Sequence, residues 1–377
     1  MKGFNHRIQA IALFALILLT IFWTNSALAS KWKTEIVDAG VDAGWYSSLV
    51  LNGSGRPSIA YVNADVLKYA VWNGTAWAFQ DIDSSSQAQQ PSLFFNPSLL
   101  GFPEVTYFDL TPPGSLKYTF KRILPLPMIW VTPETIDTGG VGWGNSLVVD
   151  QSGTAKVSYC DFTNNKLKYA HRTAGVWTVE TLVDSCLYIP LFAADTSLAL
   201  DPSGNPNITY WTNGGLKYAK FNGTWSFDVI DPGSFPATIV GQGNAITMDK
   251  DGWLHVSYTD SKNHKLKYAR HNTTNWIVAP PIDDAQDART SIAVDDNGGV
   301  HICYVKDFDL NYAYNSNKGF STWVTQTVDG GAPLAGEFCS LKLDSNGKPR
   351  IAYFDRTNLD LKFTQALYEV FQSYIKK

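Results

Sequence analysis

Seven tyrosines close seven apolar, strand-like runs along this chain: Tyr61, Tyr107, Tyr159, Tyr210, Tyr258, Tyr304 and Tyr353. Successive members stand 46, 52, 51, 48, 46 and 49 residues apart, the period at which one four-stranded propeller blade is encoded. The repeat predicts an all-β, seven-bladed β-propeller of four-stranded antiparallel blades. It does not name an activity, because one fold hosts unrelated functions and the chemistry must be argued from a site.

Each unit carries the same pieces in the same order. A short apolar strand runs to Asp or Asn, as in Ser48 to Asn52 or Ser146 to Asp150, and a tight turn closed by Gly follows, as at Gly55, Gly153, Gly204 and Gly252. Asp starts such turns by accepting from the backbone two residues on, and Gly supplies the positive φ. The second strand ends in the repeated Tyr. The third is a Leu-Lys-Tyr phrase, at Leu67, Leu116, Leu167, Leu216 and Leu266, which weakens to Leu310-Asn311-Tyr312 and Leu361-Lys362-Phe363. The fourth begins at a Trp and ends near an Asp.

Counting the Trp strands shows how the ring closes. Trp77, Trp130, Trp177, Trp225, Trp276 and Trp323 follow the first six units, but none follows the seventh. One stands alone at the start instead, from Trp32 to Asp38. The N-terminal strand is therefore expected to complete the last blade, which removes an exposed sheet edge.

The flanks read differently. Lys2 and Arg7, the apolar run Ile11 to Trp23 and the small residues Ala27-Leu28-Ala29 predict a signal peptide over residues 1–29. The run is shorter than the roughly 20 residues a membrane span needs. Residues 30–366 are assigned to the propeller and 367–377 to a short C-terminal helix or tail, from the helical spacing of Leu367, Val370, Phe371 and Tyr374. The expected location is secreted or periplasmic. A formal net charge of −4 argues against nucleic acid as a partner, because that needs clustered Lys and Arg. No membrane span is expected in the mature chain, and a monomer is.

Four cysteines in an exported chain invite disulfides. Cys160 and Cys303 flank their repeat tyrosines on one blade face, and Cys186 and Cys339 lie in connections from a fourth strand to the next first strand. The predicted pairs are Cys160 with Cys186 and Cys303 with Cys339; four buried thiols are the alternative. Asn52, Asn73, Asn207, Asn222 and Asn272 begin glycosylation sequons, most where the repeat wants a turn, but Asn207 falls within a strand.

The Asp-turn-Gly phrase resembles the Asp-box of sialidase-like propellers, with two residues between Asp and Gly in Asp150-Gln151-Ser152-Gly153 where the Asp-box has one. The mature chain is similar more generally to secreted bacterial seven-bladed repeat proteins, through phrases such as Leu254 to Tyr258 followed by Leu266 to Ala269. That resemblance implies the fold. A sialidase would need three converging arginines, and of Arg56, Arg122, Arg172, Arg270, Arg289, Arg350 and Arg356 only Arg289 and Arg356 fall by repeat position on the face of the ring where blade-to-blade connections gather.

That face, the mouth, is where chemistry is expected. Trp45, Tyr46, Trp143, Asp195, Arg289, Glu337 and Phe338 are placed near the channel, with Asp109, Asp161, Asp260, Asp307, Asp355 and Arg356 further out. Aromatics beside carboxylates and guanidinium groups suit sugars, which present apolar C–H faces and hydroxyls together. The Asp set also reads as repeated turn formers. His255 and His301 share a repeat position with Lys156 and Arg350, which marks a tolerant polar site, not a metal ligand; no metal, cofactor or catalytic set is predicted. Long connections from Asp184 to Ala194 and from Asp231 to Asn244, against a short one from Asp283 to Thr290, argue for one asymmetric site. The sequence thus points to a non-catalytic, lectin-like recognition protein for glycan or protein. A glycoside hydrolase or lyase using carboxylates such as Asp195 and Glu337, and an envelope scaffold, are the rivals.

Overall fold

The computed structural model describes residues 32–367 except 100, 123–127, 183, 187–194, 235, 237, 287 and 331–333. The signal peptide assigned to 1–29 and nearly all of the 367–377 tail lie outside the described residues. Thr34–Gln365 is one compact unit, made of seven antiparallel sheets.

Blade 1 runs outward through Ala43–Leu51, Pro57–Asn63, Val66–Trp72 and Trp77–Asp83, and blades 2 to 6 repeat that order. Blade 7 takes Ala335–Leu343, Pro349–Asp355 and Asp360–Ala366 from the C-terminal end and Trp32–Asp38 as its outermost strand, the closure expected from the Trp count. Two outer strands are broken: Ile129–Trp130 is separated from Glu134–Thr138, and Trp276–Val278 from Asp283–Asp284. Pro133 in one break and Pro280-Pro281 in the other cannot donate to a ladder.

The tyrosine repeat has a physical cause that spans blades. Each Tyr hydroxyl donates to the Asp at the end of the preceding blade's fourth strand: Tyr61 to Asp38 at 2.6 Å, Tyr107 to Asp83 at 2.5 Å, Tyr159 to Asp137 at 2.8 Å, Tyr210 to Asp184 at 2.6 Å, Tyr258 to Asp231 at 2.7 Å, Tyr304 to Asp283 at 2.6 Å and Tyr353 to Asp329 at 2.6 Å. All seven rings are buried, so a phenol with no acceptor would carry its full desolvation cost. The third-strand lysines join the same carboxylates, as Lys217 does at Asp184 and Lys362 at Asp329.

The tryptophans seal the outer gaps. Trp177 stacks edge-on against Tyr118 of the blade before it with centroids 5.1 Å apart, Trp225 against Tyr169 at 5.4 Å and Trp323 against Tyr268 at 5.2 Å. Trp77 does the same across the closure, against Phe363 at 5.7 Å. The phenylalanine that weakens the seventh Leu-Lys-Tyr phrase therefore keeps its packing role.

A third belt lies on the innermost strands. Ser48, Ser92, Ser146, Ser197, Ser291 and Ser340 each accept the backbone N–H of the next blade's inner strand: Leu93, Leu147, Leu198, Ile246, Leu341 and Leu49 respectively, at 2.9–3.1 Å. The position is Ala245 in blade 5, which has no hydroxyl to offer. Both predicted disulfides are present, Cys160–Cys186 and Cys303–Cys339, with Cα atoms 5.6 and 6.3 Å apart.

Candidate functional site

The inner strands begin earlier than the apolar pattern suggests. In blades 1, 2, 3, 5 and 7 they reach up into the mouth through register shifts, so that Trp45, Gln89, Trp143, Gln242 and Glu337 still pair across the ladder. The chain needs room there. A β-carbon on Gly44 would stand 2.9 Å from the backbone of Leu361, and one on Gly142 would stand 2.9 Å from the Leu116 side chain, so glycine lets neighbouring blades close up. Two residues after each such glycine the backbone turns left-handed, with φ of 63° at Gly144 and 57° at Gly243. At the same place blade 1 has Tyr46, at 55°, and blade 7 has Phe338, at 53°.

Those two aromatics meet. Tyr46 and Phe338 lie 4.3 Å apart between centroids, and Trp45 stands 5.9 Å from Tyr46, 5.7 Å from Phe338 and 5.0 Å from the buried Phe354. Trp45 also donates its indole N–H to Asp42 Oδ1 at 2.6 Å. All three mouth rings are half-buried, so part of each surface faces solvent.

Charge lies on both sides of the aromatic cluster. Exposed Arg356 is 3.1 Å from Glu337 and has its guanidinium 5.9 Å from the Trp45 ring. Arg289 binds Asp195 Oδ1 through both Nε, at 2.8 Å, and a terminal nitrogen, at 2.7 Å, and its guanidinium stands 5.9 Å from Tyr46. Trp45, Tyr46, Asp195, Arg289, Glu337, Phe338 and Arg356 thus form one run of contacts across blades 4, 6, 7 and 1. Trp143 does not join it; it packs against Phe108 at 5.6 Å, between blades 2 and 3.

Beneath the mouth the polar accounting is incomplete. Asp195 Oδ2 and the side-chain amide nitrogens of Gln90 and Gln242 are buried and have no hydrogen-bond partner among the described residues. Gln90 Oε1 is engaged by the Gly144 N–H at 2.6 Å, which leaves its NH2 as the spare group. Buried donors and acceptors of this kind cost free energy until something satisfies them.

No protein-family model matches this chain, and no curated protein matches it in sequence. Solved structures do match in fold. The BP39L lectin from Burkholderia pseudomallei is 15% identical, with a TM-score of 0.55 over 86% of this chain and 96% of that one. The SapL1 lectin, solved with alpha methyl fucoside, is 9% identical, with a TM-score of 0.53 over 77% and 98%. BBS1N, solved in complex with ARL6DN, is 10% identical, with a TM-score of 0.56 over 91% and 99%. At such identities the likeness establishes the propeller and nothing about a ligand.

The outer Asp set behaves as turn chemistry. Asp109 accepts from the Thr111 N–H and pairs with Lys117 at 2.6 Å, Asp161 and Asp260 cap the turns at Asn164 and Asn263, and Asp355 accepts from Thr357 and pairs with Lys362 at 2.7 Å. His255 and His301 each join a first-turn Asp at 3.2 Å, Asp249 and Asp295, just as Lys156 joins Asp150 at 2.9 Å and Arg350 joins Asp344 at 2.8 Å. Burial holds both imidazoles below their usual range despite the adjacent carboxylates. Four residues of the mouth went unremarked in the sequence: Asp42, Phe354, Gln90 and Gln242. Gln90 was in principle findable, because it occupies the repeat position of Tyr46 and Phe338.

Proposed function

We propose that this protein is an exported glycan-binding protein whose site is the aromatic mouth at the junction of blades 7 and 1. The observation that carries the reading is the cluster of Trp45, Tyr46 and Phe338, two of them held in left-handed backbone where blades 3 and 5 use glycine and blade 2 uses Gln90. Backbone strain at a surface cavity is the kind of feature that persists when function requires it. The rings supply stacking surface for sugar C–H faces, and the Arg356–Glu337 and Arg289–Asp195 pairs supply fixed donors and acceptors for hydroxyls. The spare amides of Gln90 and Gln242 extend the same polar lining.

Lectin propellers among the fold neighbours, one of them solved with a fucoside, agree with this reading. The carboxylates a glycosidase would need, Asp195 and Glu337, are each paired with a guanidinium. A glycan array with the mature protein, followed by calorimetric titration of the best ligand, tests it. Trp45→Ala should weaken binding by roughly 3- to 10-fold, the weight of about one aromatic contact, while Trp143→Ala should not. Absence of any glycan signal, equal loss from both variants, or release of reducing sugar from the ligand would overturn the proposal.

A further inference from the structure

Along the inner strands the side chains at alternate positions face the ring axis. The first axial layer holds the hydroxyls of the serine belt; the next, roughly 6.6 Å further along the strands, holds Phe94, Val148, Thr247 and Lys342. Together with the first turns of blades 3 and 4 they line a cavity of about 740 Å³ that reaches the far face of the propeller, away from the aromatic mouth.

Two features of this cavity bear on what it accommodates. The first is Lys342. The residue is exposed where it lines the channel, and no carboxylate or hydrogen-bond acceptor among the described residues engages its ammonium. The carboxylates that line the cavity are committed elsewhere. Asp150 pairs with Lys156 at 2.9 Å, and Asp201 accepts from Ser203 and twice from Asn205. The second is the polarity of the serines. Ser48, Ser92, Ser146, Ser197 and Ser291, all at the cavity wall, use their oxygens to accept a backbone N–H from the next blade. Such a hydroxyl keeps its proton and a second lone pair, and none of the five donates that proton to a described residue.

We infer that the axial channel binds the oxyanion group of a small anionic ligand, a carboxylate, sulfate or phosphate, with Lys342 as its ion partner and the serine hydroxyls as its donors. The ammonium and the serine hydroxyl protons are donors that meet no acceptor among the described residues. An oxyanion supplies both the charge and the acceptors. The channel has room for a ligand larger than an inorganic ion. This site stands apart from the aromatic mouth and does not depend on the glycan reading.

The test is calorimetric titration of the mature protein with inorganic phosphate, sulfate and glucuronate in separate arms, with glucose as the neutral control. Saturable binding of at least one anion, with no response to glucose, is expected. Lys342→Met should weaken that binding by roughly tenfold or more, and Lys342→Arg should retain most of it. The arm that binds most tightly distinguishes a carboxylate ligand from a phosphate or sulfate one. If Lys342→Met does not fold, carbon-13 methylation of the wild-type lysines, with the Lys342 resonance assigned by its absence from Lys342→Arg, reads the same contact as an anion-dependent shift. No saturable anion binding, binding undiminished in Lys342→Met, or a Lys342 resonance indifferent to the anion that binds would each overturn the inference.

Discussion

Replacing Phe338 by alanine and, separately, by glycine should reverse the usual stability order of those two residues. Phe338 sits at φ 53°, and a β-carbon in left-handed backbone costs roughly 1–2 kcal/mol. Both replacements lose the ring contacts with Tyr46 and Trp45, 4.3 and 5.7 Å away, worth roughly 0.5–1.5 kcal/mol per pair. Only glycine also releases the backbone strain, against its own extra unfolded-state entropy of roughly 0.5–1 kcal/mol. The difference leaves Phe338→Gly more stable than Phe338→Ala by about 0.5–1 kcal/mol, where an ordinary strand position would favour alanine by a similar margin. Urea unfolding of the two variants, compared at equal m-values, measures the sign directly, and titration with the best glycan should show both variants losing affinity alike. An alanine variant equal to or more stable than the glycine variant would refute the argument that this aromatic is held under strain.

Two further expectations follow from the interblade contacts and a third from the glycosylation sequons. Tyr107→Phe removes the donor to Asp83 while Ser85 still donates to the same carboxylate through its N–H and hydroxyl, so denaturation should show a loss of about 1.5–2 kcal/mol at neutral pH. Burial pushes the Asp83 carboxyl up, but the Tyr107 and Ser85 hydrogen bonds outweigh it and hold the group below its usual value. The stabilisation is therefore complete above the unfolded Asp pKa of about 3.9 and fades as pH falls through the lower folded value; a gap between wild type and variant that stays constant into that range would contradict it. Ala245→Ser supplies the missing member of the serine belt, opposite the Ile292 N–H, and should stabilise by roughly 0.5–1.5 kcal/mol, with an unchanged or lower unfolding midpoint counting against the belt. In a glycosylating host, peptide mass spectrometry should find Asn73 accessible to glycan and Asn207 unmodified, because Asn207 is 1% exposed and accepts from the Tyr218 hydroxyl.

The architecture was legible because its causes repeat. A period shared by Tyr, Leu-Lys-Tyr and Trp exposes the blades, and the one misplaced Trp exposes the closure, since every copy answers to the same packing demand. What the repeated tyrosines bond to was harder to see. Asp38, Asp83 and their counterparts end the fourth strands and look like turn formers, and only the ring brings each beside the next blade's phenol. The mouth resisted for a different reason. Trp45 and Trp143 share a repeat position and each packs on the Phe that follows the preceding blade's Tyr, Phe354 and Phe108, yet Trp45 also meets Phe338 where blade 2 has Gln90. Residue 338 decides this, and no local pattern couples positions so far apart in the chain.

That coupling places the candidate site on the seam of the ring. Blade 7 is assembled from both ends of the described chain, and it meets blade 1 where Tyr61 donates to Asp38, Ser47 to the Phe338 carbonyl at 2.9 Å, and the Leu49 N–H to Ser340 at 2.9 Å. The Ser47 bond fixes the carbonyl of the very residue that carries left-handed strain, so the contact that closes the ring also holds the aromatic in place. In blades 3 and 5 the same position is quiet: Thr196 donates to the Gly144 carbonyl and Thr290 to the Gly243 carbonyl, each at 2.8 Å, and neither glycine has a side chain to present. The interblade bond to this carbonyl thus occurs with or without a side chain at the position, and at Phe338 the residue it holds also carries a ring of the candidate site.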